Sequence, residues 1–234
     1  MWNSPWFDRV WNPVGLSCIR GCCAHFHKRV GISKLGLYPP RRTVLVGPHD
    51  IFMTGVPDGV IRDLFMVMAR HPMQNFRVLV EHAHRMEQWF GSWACHTLQQ
   101  WLAESGIDWP LPNVHLGVVV WDQDTLEDRV GPLVASPAVS RFIVVPKFWG
   151  MIDPTEITCP SGVYSPEQIR ACSICNGVPA ICYNGKFNAL RGGIDEVILL
   201  DDRLDDRSVL WHDELRELCD RYQVATIDLL DSRS

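Results

Sequence analysis

Short apolar runs alternate with amphipathic stretches from residue 43 onward. "TVLV" (Thr43–Val46) predicts a buried strand. "VPDGVIRDLFMVMARH" follows, with Val60, Leu64, Val67 and Met68 on one helical face and Pro57-Asp58 at the start. "FRVLV" (Phe76–Val80) is a second strand, and a helical stretch runs from about His84 to Glu104 with a break near Gly91. "VHLGVVV" (Val114–Val120) is a third strand. "DTLEDRVGPLVA" is then a short helix with Leu126, Val130 and Leu133 inward. "RFIVV" (Arg141–Val145) and "EVILL" (Glu196–Leu200) are the fourth and fifth strands. "VLWHDELRELCDRY" is a helix with Leu215, Leu218 and Tyr222 on one side, and "VATIDLL" (Val224–Leu230) is the sixth strand.

Strands that are apolar throughout, each followed by a helix, predict an α/β fold with a parallel sheet covered on both faces. Five or six such units favour an open or closed βα barrel, in which chemistry gathers at the C-terminal ends of strands. The chain is read as one domain over residues 1–234. Two stretches break the rhythm: the first 42 residues and residues 151–192. They hold seven of the nine cysteines.

Those cysteines change the picture more than the charge does. The balance of 22 basic and 27 acidic residues gives a net charge of −5. That supplies no long-range pull on nucleic acid, although Lys28-Arg29 with Arg41-Arg42 leaves a local basic patch. "MWNSPWFDRVWNP" has neither the basic start nor the apolar run of a signal peptide. No apolar run reaches the roughly 20 residues of a membrane span. The expectation is a cytoplasmic protein with reduced thiols, where clustered cysteines are more often metal ligands or redox groups than disulfides.

The first cluster lies in "GLSCIRGCCAHFHKRV". Cys18 and Cys22 form C-x3-C, extended by His25; Cys18 with Cys23 gives C-x4-C instead. Three ligands on a tight loop leave one coordination position open, which suits an iron–sulfur cluster that chelates a small molecule. Zinc would fill that position with water or a fourth side chain. The second cluster is Cys159, Cys172, Cys175 and Cys182, around the "CSIC" knuckle. Four thiols in a glycine- and proline-rich stretch match a structural zinc site, with an auxiliary iron–sulfur cluster as the alternative. Residues 151–192 are therefore read as a metal-binding insertion. Cys95 and Cys219 read as packing residues on helices, since free cysteine behaves as a small hydrophobe. Core packing is also the reading for Trp121, Phe148 and Trp149, although their places near strand ends would allow them to stack a ring.

Longer blocks carry a resemblance. They are "WNPVGLSC…GC", "DIFMTGVPDGVIRDLFMVMARHPMQNFRVL", "WPLPNVHLGVVVWDQDTLEDRVGPLVASPAVSRF" and "GMIDP". In order and content the chain resembles the phage-associated three-cysteine-motif family, related to radical S-adenosylmethionine proteins. The resemblance implies a radical-SAM-like partial (βα)6 barrel with a cysteine-bearing insertion. It implies a [4Fe–4S] cluster on Cys18, Cys22 and position 25, with S-adenosylmethionine chelated to the unique iron. Reductive cleavage of that cofactor would yield a radical that abstracts a substrate hydrogen.

The chain departs from the family pattern at the strand ends. The third cysteine of the loop is His25. A typical lysine after the second strand is Glu81, an acidic residue after the third is Trp121 with Asp122 beside it, and a glutamate after the fourth is Pro146. The glycine-rich segment after the fifth counted strand is Leu200-Asp201-Asp202, which keeps a carboxylate in Asp202 but loses the glycines. Trp121, Asp122 and Asp202 are the cofactor-binding candidates; no catalytic residue is assigned. Two further readings stay open. One is a catalytically silent, zinc-stabilised relative acting as a binding or partner subunit. The other is a different metal enzyme, with His25, His27, His49 and Asp50 holding the ion and Glu81 or Asp122 as base. The substrate is not legible.

Overall fold

In the computed structural model the described residues are 9–11, 43–47, 50–159, 182–183, 186–200 and 206–228. Cys18, Cys22, His25, His27, His49, Cys172, Cys175 and Asp202 lie outside them. The protein is mixed α/β. It divides into two compact units, residues 1–116 with 137–139 and residues 117–136 with 140–234.

The first unit contains three parallel strands in chain order. β1 (Arg9–Trp11) pairs with β2 (Thr43–Val46), and β2 pairs with β3 (Asn75–Val80). β2 is buried on both faces: Val44, Leu45 and Val46 are all fully covered. That is what a continuous apolar run requires. Between β2 and β3 runs α1 (Asp58–Ala69), which buries Val60, Ile61, Leu64, Phe65, Val67, Met68 and Ala69. After β3 come α2 (Ala83–Phe90) and α3 (Trp93–Glu104), parted at Gly91 as the sequence predicts. Ser92 caps α3 by accepting from Cys95 N at 3.3 Å.

The core of this unit is aromatic. Phe65 stacks on Trp89 at 5.0 Å, and Phe52 meets Trp89 edge-on at 5.9 Å. The Trp89 indole is fully buried and donates to Asp58 O at 3.2 Å, so its one polar atom is satisfied. Asn113 Nδ2 lies 3.1 Å from each of the carbonyls of Met68, His71 and Gln74, which pins the turn after α1.

β4 (Val114–Val119) crosses the division between the units. In the second unit α4 (Gln123–Ala135) follows, with Leu126, Val130 and Leu133 fully buried as predicted. β5 (Ser140–Val145) pairs in parallel with β9 (Glu196–Leu199), and β9 with β10 (Ala225–Asp228). α6 (Asp206–Tyr222) connects the last two. All six expected strands are present, with ends at most two residues from the predicted limits.

Two features are additional to the sequence reading. β1 is only three residues long, too short to give a periodic signal. The 151–192 stretch contains a small antiparallel sheet in the order β6 (Ile157–Thr158), β8 (Lys186–Phe187), β7 (Cys182–Tyr183), followed by the short α5 (Ala189–Gly192). No described helix is long and apolar enough to cross a membrane.

Candidate functional site

In the first unit, polar groups gather after β2 and β3. Asp50 follows β2 by four residues, and its side chain is 5 % exposed. Its Oδ1 accepts from Phe52 N at 2.7 Å. Its Oδ2 accepts from Glu81 N at 2.9 Å and from His82 N at 2.7 Å. The His82 ring completes the set, with Nδ1 at 2.9 Å from the same Oδ2. Because that oxygen already accepts two amide protons, the ring nitrogen is the donor. The neutral imidazole therefore carries its proton on Nδ1 and presents Nε2. The His82 side chain is 45 % exposed, so that nitrogen sits at the surface of the unit. A buried carboxylate that orients an accessible imidazole is an arrangement shared by proton-transfer and metal-ligand histidines.

This geometry redefines Asp50. The sequence offered it as a metal ligand beside His49; in the structure its carboxylate is filled by four donors. Glu81 keeps an exposed side chain, and its main-chain N–H belongs to Asp50.

In the second unit, the residues after β4 and β5 form a stack. The rings of Trp121 and Trp149 lie 5.3 Å apart at 15°. Trp149 N donates to Trp121 O at 2.8 Å, which holds the two loops together. The Arg129 guanidinium lies 4.7 Å from the centroid of the Trp121 ring, and Arg129 Nη1 donates to Val119 O at 2.7 Å. Phe148 is buried, as expected for a packing residue. Trp149 is not: it is 63 % exposed, which corrects the core reading for that residue. Its exposure follows from its place on a loop whose neighbours Phe148 and Ile152 take the inward positions.

Asp122 is the N-cap of α4. Its Oδ1 accepts from Thr125 N at 2.9 Å and from Thr125 Oγ1 at 2.8 Å, and the Thr125 hydroxyl oxygen in turn accepts from Asp122 N at 3.1 Å. The Thr125 N–H holds the Asp122 carboxyl below the usual carboxylate range, helped by the Thr125 hydroxyl and by the charge of Arg129. An ionised cap of this kind serves poorly as a base near neutrality.

A third polar group lies at the end of β10. His212 of α6 is fully buried, with Nε2 3.0 Å from Asp228 Oδ2 and Nδ1 3.5 Å from Asp213 Oδ1. The Phe148 ring meets it edge-on at 6.3 Å. Neither this pair nor the Asp50–His82 pair was found as a dyad from the sequence. Each joins residues 16 or 32 positions apart, and no local spacing announces either.

Of the second cysteine group, Cys159 is buried, two residues beyond Ile157 in the small antiparallel sheet. Cys182 starts β7 on the other side of β8. Cys172 and Cys175 lie outside the described residues, as do Cys18, Cys22 and His25 of the first group. Among the described residues no three His, Cys, Asp or Glu side chains are grouped to hold a metal ion. The donor sets expected from the sequence each include residues outside the described ones.

A family model matches residues 33–227. The chain belongs to the family described as "Protein of unknown function (DUF5131)". In this DUF5131 chain the matched span takes in the Asp50–His82 and Trp121–Trp149 groups and the second cysteine group, and it ends one residue before Asp228. It begins after Cys18, Cys22 and His25. No curated protein and no solved structure matches the chain.

Proposed function

We propose that the chain is a divergent iron–sulfur protein of the radical S-adenosylmethionine type, built on a partial (βα)6 barrel. The observation that carries this reading is directional. Within each unit the parallel strands follow chain order, and charged or aromatic side chains collect after strand C-termini. Winding in one direction, with chemistry at that end, is the habit of βα barrels. Doubly wound sheets reverse their strand order instead.

Cys18, Cys22 and His25 would hold the [4Fe–4S] cluster. When bound with S-adenosylmethionine, such a cluster supplies reductive cleavage of the cofactor and hydrogen abstraction from substrate. The chain's own part is to bind and orient. Trp121, packed between Arg129 and Trp149, would meet the cofactor through its ring edge. Asp122 and Asp202 offer carboxylates to the cationic end of the cofactor. His82, held by Asp50, offers Nε2 for moving a proton. The buried thiols Cys95 and Cys219, neither in a disulfide, support a reducing, cytoplasmic setting.

A second reading rests on the Asp122 cap and on Cys159. A carboxylate that caps α4 and a buried cysteine just after β6 also suit a silent relative, with zinc on Cys159, Cys172, Cys175 and Cys182 and a role as partner subunit. Anaerobic purification with iron and sulfide separates the two. A brown protein that loses its colour on Cys18→Ala supports the first. Zinc alone, with no visible absorbance, supports the second.

A further inference from the structure

The Trp121–Trp149 pair is more than two aromatic residues in contact. Trp121 is fixed from several sides. Arg129 lies against its ring at 4.7 Å, its main-chain N–H donates to Thr125 Oγ1 at 3.0 Å, and its carbonyl accepts from Trp149 N at 2.8 Å. Trp149 stacks on this support and is 63 % exposed. An indole covered on one face and exposed to that extent turns its other face to water. Beside it, Met151 is 54 % exposed and Lys147 is exposed. Single exposed apolar residues are common and need no explanation. Here the exposed ring ends a stack of three planar groups, at loops that follow two strand C-termini.

We propose that the open face of Trp149 is a stacking site for the base of a nucleoside or mononucleotide ligand other than S-adenosylmethionine. A rigid, supported ring loses little freedom when another planar ring is laid on it, so the contact is preorganised. A flat heteroaromatic ring gains from such a face beyond its buried area, whereas an aliphatic group gains the area alone. Base stacking on aromatic side chains is tolerant of base identity because every base has a π-face. The net charge of −5 gives no general attraction for a polyanion, which selects a single nucleoside unit over an extended strand. The inference does not rest on the iron–sulfur reading, because all of its residues are in the described second unit.

The test is titration of the purified full chain with adenosine, guanosine, cytidine and uridine. Tryptophan fluorescence and saturation-transfer NMR on the ligand protons are the readouts. The expected result is saturable quenching by at least the purines, with the strongest transfer on base protons. Trp149→Ala should weaken binding by about tenfold and Trp149→Phe by less, at unchanged melting temperature. Absence of saturable quenching, or equal affinity in Trp149→Ala, overturns the proposal. S-adenosylmethionine is then added to the nucleoside complex. Independent binding of both supports a separate substrate-base site. Displacement of the nucleoside assigns the face to the cofactor and overturns it.

Discussion

Asp50 and His82 are joined twice: Asp50 Oδ2 accepts from the main-chain N of His82 at 2.7 Å and from its ring Nδ1 at 2.9 Å. With Glu81 N on the same oxygen and Phe52 N on the other, the carboxylate ties the segment after β2 to the segment after β3. The two partners are unequal in burial, and that inequality predicts different costs for their loss. Asp50→Asn removes the charge and, with its oxygen in the Oδ2 place, turns an NH2 toward the Phe52 N–H. It should destabilise the chain by about 3 kcal/mol. His82→Ala removes one contact from a half-exposed ring and should cost about 1 kcal/mol or less. Urea denaturation of both variants measures the difference; equal midpoints would show that the main-chain contacts contribute little.

Gly117 is the second pressure point. A Cβ built on it would lie 2.2 Å from the Phe142 ring, because the phenyl of β5 fills the space a side chain would need. Gly117→Ala should therefore cost about 1–3 kcal/mol or more through overpacking. Phe142→Leu in the same chain should recover part of that loss, so that the double variant is more stable than the sum of the singles. Strict additivity in a double-mutant cycle would contradict the contact.

Asp122 predicts a pH dependence. Its carboxyl lies lower in the folded chain than in the unfolded one. Its stabilisation is thus complete above the unfolded carboxylate range, about pH 4, and fades as pH falls through the lowered folded value. Asp122→Ala should cost about 1 kcal/mol at neutral pH. The gap between the variant and the parent chain should narrow in acid. A gap that stays constant down to about pH 2 would mean that the loss is packing rather than charge.

The buried thiols give a chemical test. Burial pushes Cys95 and Cys219 up from 9.0 to about 11, against the lowering effect of hydrogen bonds with Gln99 and Thr226 respectively. Raised values favour the folded state below pH 9.0 and lose that contribution as pH rises toward about 11. Mass mapping after iodoacetamide treatment of the native chain near neutral pH should find both unmodified, and both modified after unfolding. Modification of either in the native chain would contradict its burial.

The elements that were legible in the sequence are those with a strong period. The strand over Thr43–Val46 and the helix face of Val60, Leu64, Val67 and Met68 needed only apolar spacing. The break at Gly91 needed only a glycine before a serine cap. What escaped depends on distant pairing. Asp50 finds its partners 31 and 32 residues away, and its role as a clamp has no local mark. Composition alone places Trp149 in the core because tryptophan is usually covered; its exposure depends on which neighbours on the loop turn inward. Asp122, a cofactor candidate by its place after a strand, also caps α4 through Thr125, and the three-residue spacing makes that contact legible.

The central claim concerns Cys18, Cys22 and His25. Its most direct measurement is the product formed from S-adenosylmethionine by the anaerobically reconstituted full chain under a strong reductant. The account predicts 5′-deoxyadenosine and methionine in equal amounts, abolished by Cys18→Ala or Cys22→Ala and kept by Cys172→Ser. A reconstituted chain that binds iron and sulfide but forms no 5′-deoxyadenosine, or one that retains zinc alone, would contradict it.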